Sequence, residues 1–177
     1  MKRLSRQGLS RFIVLIVAVS SVTGGILLSN LKPSVNDQIL VDVQRIKFDN
    51  LYGQTQSLAD RAGSYRVVNF WATWCPPCLE EIPLFVELQK EYGAKNFTFI
   101  GVAVDDDERV RRFVIDNEVN YPMLIGSTGA LQISELLGNV RSGLPFTVFL
   151  SPDGDLLGTE SGVVPEQKIR DFISKIQ

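Results

Sequence analysis

The sequence predicts an α/β fold in which a mixed central β-sheet is flanked by helices on both faces. Three observations predict it. Short apolar runs rich in strand formers, at 66–71, 96–104 and in the second half of 143–150, alternate with helical patterns. The alternation then gives way to two strand segments joined by the turn Pro152-Asp153-Gly154, which makes a hairpin. An amphipathic helix over 165–176 closes the chain. Alternation builds parallel strands and a hairpin builds antiparallel ones, so the sheet is mixed.

The elements follow in order. Lys2, Arg3, Arg6 and Arg11 give the first eleven residues a charge of +4, while the remainder carries −6. An acidic body argues against a nucleic-acid partner, which wants a basic face. Residues 12–31 hold no charge and end at Lys32. As a helix, 20 residues span about 30 Å, enough for a bilayer core. Cations before the run and none inside predict a single transmembrane signal anchor with a cytoplasmic tail and an exported domain. A cleaved signal peptide, with 12–18 as its apolar region and Ala18-Val19-Ser20 as its cleavage site, is the alternative. Either way the domain leaves the cytoplasm. Residues 32–42, with Pro33, Ser34, Asn36 and Asp37, read as a linker, and 43–177 as the folded domain. Segments 43–48 and 55–58 flank the turn signal Asp49-Asn50-Leu51-Tyr52-Gly53 and predict an N-terminal β-hairpin extension. Residues 66–71 predict a buried strand. Residues 76–92 predict a helix with apolar Leu79, Ile82, Phe85, Val86 and Leu88, interrupted by Pro83. Glu80 and Glu81 read as part of its solvated face. A strand at 96–104, an acid-started helix at 107–117, a short strand at 121–125 and a helix from Ser127/Thr128 to Leu137 complete the alternation.

The chemistry concentrates in Trp74-Cys75-Pro76-Pro77-Cys78, which holds the only two cysteines in a chain without histidine. A zinc site wants about four ligands, and the Cys/His set is missing. A disulfide staple across so small a loop adds little stability. What remains is a pair of thiols that open and close a disulfide. Outside the cytoplasm such a pair must be fed electrons or act as an oxidant. Cys75, at a helix N-terminus, is the expected nucleophile, and Cys78, one turn on, the resolving thiol. Pro76 and Pro77 lack backbone N–H groups, so two donors near the Cys75 sulfur are absent. Less thiolate stabilisation makes the reduced form a better reductant.

From these residues the chain resembles the thioredoxin fold, and within it the TlpA/ResA-like membrane-anchored thiol:disulfide oxidoreductases. The run Val68-Asn69-Phe70-Trp71-Ala72-Thr73-Trp74-Cys75, Pro83, Leu144-Pro145, Leu150-Ser151-Pro152-Asp153-Gly154 and Gly162 carry the resemblance across about 45–177. It implies a cis Leu144–Pro145 bond facing the disulfide, with the Leu144 backbone offered to a substrate strand. Trp74 is expected to shelter the cysteines and meet partners, and Trp71 to lie in the core. Asn69 stands where thioredoxin has a buried Asp, and Phe146 where a threonine is common. The proton acceptor for the buried cysteine is therefore sought after the 96–104 strand, at Asp105 or Asp106.

The resemblance also implies a DsbD- or CcdA-like transmembrane electron donor and disulfide-containing exported targets, apocytochrome c among them. No cofactor beyond the Cys75–Cys78 disulfide and no metal is expected. Localisation follows as the cytoplasmic membrane, domain outside. Two other readings are thiol peroxidase and copper delivery. The first wants Thr or Ser three residues before the reactive cysteine, where Ala72 stands and Thr73 is one place off. The second has only Met1 and Met123 beside the cysteines as soft ligands.

Overall fold

The computed structural model describes residues 35–176. The expected anchor at 12–31 lies outside the described residues. Among those described, no helix is long and apolar enough to cross a membrane.

The element order is α1 (Val35–Gln44), β1 (Phe48–Asn50), β2 (Thr55–Gln56), a 3-10 turn (Leu58–Arg61), β3 (Tyr65–Trp71), α2 (Pro76–Tyr92), β4 (Phe97–Ala103), α3 (Asp107–Asp116), β5 (Met123–Ile125), α4 (Ser127–Leu136), β6 (Phe146–Leu150), β7 (Leu156–Ser161) and α5 (Glu166–Ser174). Seven strands form one sheet in the order β2-β1-β5-β4-β3-β6-β7. The β5-β4-β3 centre is parallel, while β6 and β7 join it antiparallel.

The chain between 35 and 47 departs from the linker and first strand expected there. Val35–Gln44 is helical, and the strand begins only at Phe48. Leu40 and Val43, three apart, pack the helix onto the core, with Val43 2% exposed. Gln44 is buried as well, its Nε2 donating to the Gly154 carbonyl at 2.7 Å. Strand β1 pairs antiparallel with β2 on one side and with β5 on the other.

Pleating divides β3 between two cores. Val67 and Trp71 face a layer containing Cys75, Cys78, Ile82, Phe85, Val110 and Ile169. Val68 and Phe70 face the opposite layer with Ile100, Val102, Phe146 and Leu137. Burial on both sides explains why β3, β4 and β6 read as continuous apolar runs. One polar residue interrupts the first face: Asn69, 1% exposed, shares the pleat of Val67 and Trp71 and so points towards α2. Across the sheet it sits opposite Thr147 of β6.

Candidate active site

The parallel β3 strand delivers its C-terminal end directly into the cysteine motif. Trp71 ends the strand, fully buried, with its indole Nε1 donating to the Met123 sulfur at 3.0 Å. The next four residues turn the chain into α2. Cys75 is the N-cap, in an extended conformation (φ −104°, ψ 97°), as the residue before a proline must be. Pro76 and Pro77 fill the first two helical positions. The first backbone N–H of α2 is therefore that of Cys78, and it donates to the Cys75 carbonyl at 3.0 Å. No helix N–H is left over from the first three positions to meet the Cys75 sulfur.

Cys75 and Cys78 are joined in a disulfide with S–S 2.09 Å. Cys75 is 5% exposed and Cys78 is fully buried. The asymmetry suits attack through Cys75, since an incoming sulfur reaches it first. Trp74, beside it, is 59% exposed. Strand β6 runs antiparallel to β3, so its start lies at the sheet end where β3 finishes. The Leu144–Pro145 bond immediately before that start is cis. Leu144 packs against the core layer that contains both cysteines. The Pro145 carbonyl accepts from Gly162 N at 2.8 Å. Gly162 has φ +84°, a conformation that favours glycine, and its turn leads to Val164.

Asp105 and Asp106 follow β4, and each is held in local hydrogen bonds. Asp105 is buried and its Oδ2 accepts from Thr73 N at 2.9 Å and from Thr73 Oγ1 at 2.5 Å. Its Oδ1 accepts from Asp106 N at 2.9 Å. Asp105 thus pins the loop that carries the cysteines. Asp106 is the N-cap of α3, accepting from Arg109 N at 3.0 Å. Replacing Asp105 with Ala should free the Thr73 donors and cost about 1.5–3 kcal/mol, the range for hydrogen bonds to a charged group. Denaturant melts should show this loss, with a smaller one for Asp106→Ala at its exposed cap.

A further buried acid, Glu81, lies one turn beyond Cys78 on α2. Glu81 is 1% exposed, which corrects its reading as a solvated residue. Its Oε1 accepts from Asn69 Nδ2 at 2.6 Å and its Oε2 from Val164 N at 3.1 Å. Asn69 Nδ2 also donates to Thr147 Oγ1 at 3.1 Å. Burial pushes the Glu81 carboxyl up to about 7, and the two donors hold it back from going higher. A carboxyl there exchanges its proton near neutral pH, which general acid–base work requires. The signal was present in the helical pattern: Cys78, Glu81, Ile82, Phe85 and Leu88 form a single buried stripe. Among the described residues no cluster of three His, Cys, Asp or Glu side chains is placed to hold a metal ion.

The chain is similar to known proteins. Residues 39–157 match the model of the AhpC/TSA family. The thiol-disulfide oxidoreductase ResA of Oceanobacillus iheyensis is 28% identical over 123 residues, covering 69% of this chain and 62% of that protein. ResA of Halalkalibacterium halodurans is 29% identical over 130 residues, covering 73% of this chain and 72% of the relative. A crystal structure of a thiol:disulfide interchange protein of the thioredoxin family from Chlorobium tepidum superposes with TM-score 0.65 at 25% identity, covering 73% of this chain and 91% of the other. The chain belongs to the AhpC/TSA family, as a TlpA/ResA-like thiol:disulfide oxidoreductase with a thioredoxin-like fold.

Proposed function

We propose that the protein works as a reductase, tethered to the cytoplasmic membrane by residues 12–31, on disulfides of exported proteins. The observation that carries the direction is the proline pair at the start of α2, which leaves the Cys75 sulfur without helix N–H donors. The basic tail and the uncharged run that follows it support the tether. Electrons come from a DsbD- or CcdA-like transmembrane thiol carrier, which reduces the Cys75–Cys78 disulfide. Apocytochrome c, whose cysteines must be free before haem attachment, is one such target.

The cycle balances as a two-electron exchange. The Cys75 thiolate attacks one sulfur of the target disulfide, forming a mixed disulfide and releasing the other target sulfur as a thiolate that takes a proton from solvent. The Cys78 thiol gives its proton to the Glu81 carboxylate. The Cys78 thiolate then attacks the Cys75 sulfur, the Cys75–Cys78 disulfide forms, and the second target thiolate leaves and takes up a proton from solvent, to which Glu81 returns the one it received. The target is reduced by two electrons and the protein oxidised by two. Trp74 and the Leu144 backbone, at the mouth of the site, are placed to meet the target strand. The Thr73 hydroxyl is committed to Asp105, so it does not serve as the peroxide-binding group that a peroxidase needs near its reactive cysteine.

Equilibration with a glutathione or dithiothreitol couple tests the direction. The expected potential lies nearer to that of thioredoxin, about −270 mV, than to that of a strong oxidant, about −120 mV. The variants Pro76→Ala and Pro77→Ala restore N–H donors and should each raise the potential by about 30 mV, equivalent to 1.4 kcal/mol. A wild-type value near the oxidant end would overturn the reductase reading. Alkaline phosphatase fused after residue 42 reports the tether's topology, and inactivity there would overturn export.

A further inference from the structure

The proton on Glu81 raises a problem that its surroundings solve in an unexpected way. Both carboxylate oxygens face donors: Asn69 Nδ2 and Val164 N. This arrangement fits the ionised group. Once Glu81 carries a proton, its O–H needs an acceptor, and neither donor offers one. The acceptor within reach is on the same side chain as the donor. Asn69 Oδ1 is buried and, among the described residues, has no hydrogen-bond partner. The two ends of a carboxamide fill nearly the same volume. A half-turn of the Asn69 amide therefore puts its carbonyl oxygen where the NH2 was, at about the same 2.6 Å from Glu81 Oε1. That separation suits O–H···O as well as N–H···O⁻. The other contact survives the turn too, because Thr147 Oγ1 both donates and accepts.

We propose that Asn69 and Thr147 form a two-way switch that follows the proton on Glu81, the amide turning its NH2 to the carboxylate and its carbonyl to the acid. Asn69 is a positioning residue: its side-chain hydrogen bonds among the described residues go to Glu81 and Thr147, and it acts through Glu81. One amide end lacks a partner in each state, so neither orientation is locked. A buried aspartate at this position has no such option, because it is an acceptor that competes for the same proton. The switch rests on the reading that Glu81 exchanges its proton with Cys78.

The groups facing Glu81 are few. Cys78 lies on its own helix. Strands β3 and β6 present neutral Asn69 and Thr147, and the turn before α5 presents a backbone N–H. The Tyr121 phenol is buried and, among the described residues, has no partner; burial and the Glu81 charge push its ionisation up, so it stays neutral throughout. In the oxidised protein the cysteines do not titrate, and Glu81 changes charge alone.

Side-chain amide NMR of the full-length oxidised chain tests the switch. With the turn, the Asn69 Hδ2 protons lose their contact with the Thr147 hydroxyl side as pH falls through the Glu81 titration, and their shifts follow its midpoint. Unchanged Asn69 contacts across that titration would overturn it. Kinetics provide a second measure. Asn69→Leu removes the charge-assisted donor and should move the Glu81 limb of the pH–rate profile upward by about one unit. Asn69→Asp should move it further, because two carboxylates then share one proton. Limbs unmoved in both variants would also overturn the proposal. A Glu81→Gln variant that exchanges at wild-type rate fails the underlying reading instead, so the two failures are distinct.

Discussion

Replacing Glu81 with Gln is expected to slow disulfide exchange about 10²-fold at pH 7, the lower range for losing a general acid–base group. The same change should make the fold more stable in alkali. The glutamine keeps an oxygen for the Asn69 amide or Val164 N–H but cannot take the Cys78 proton. The rate gap should narrow in alkali, where solvent base takes the thiol proton in place of the carboxylate. The stability effect has a definite sign. The folded carboxyl holds its proton up to about 7, whereas the unfolded one loses it near 4.5. Between those values the folded state binds more protons, so the Glu81 contribution is favourable below pH 4.5 and is lost as pH rises through 7. The full loss is about 3 kcal/mol. Glu81→Gln lacks this slope, and its melting temperature should exceed that of the wild type at pH 8 and converge with it near pH 5. Equal exchange rates at pH 7 would remove Glu81 from the mechanism. Parallel stability curves would mean that the carboxyl is not held neutral by burial.

The active-site loop was legible because its signals are local. A strand run, two cysteines, two prolines and an amphipathic helix specify their own conformations, and α2 begins and ends where the sequence expects. The segment before β1 was not legible in the same way. Its polar residues read as a linker, yet Leu40 and Val43 find a core formed by strands far along the chain, and Gln44 finds the Gly154 carbonyl. Tertiary burial overrode composition there. Glu81 failed for a related reason. Charge alone puts a glutamate on the outside, whereas its place in the Cys78–Ile82–Phe85 stripe puts it inside. Its donors come from β3 and from the turn before α5, which lie 12 and 83 residues away. In the proposed cycle the role of thioredoxin's acid, absent at Asn69, passes to Glu81 on the facing helix, to which Asn69 donates. Asp105 and Asp106 stand at a strand end where functional acids collect, but the fold spends them on the Thr73 loop and the α3 cap.

Cys78→Ser should stop turnover while preserving covalent capture. In this variant Cys75 still attacks a disulfide-bonded peptide, yet nothing resolves the mixed disulfide, because a serine hydroxyl does not ionise at Glu81 near neutral pH. Non-reducing gels and intact-mass spectra should show a stable adduct of one peptide thiol per chain, with steady-state turnover reduced at least 10³-fold. Cys75→Ser should give no adduct at all, because Cys78 is fully buried and no incoming sulfur reaches it. The contrast between the two variants assigns attack and resolution separately, which a double variant would not. Adducts of equal yield on both would mean that the helix start opens enough to expose Cys78, and the order of attack inferred from burial would fall. Expressed in its own cells, the Cys78→Ser chain should, on the proposed function, accumulate mixed disulfides with exported proteins, and the partners' identity then fixes the substrate. A reductase captures proteins whose cysteines are needed free. An oxidant would collect newly exported chains at large, so the composition of the captured set bears on direction independently of the potential.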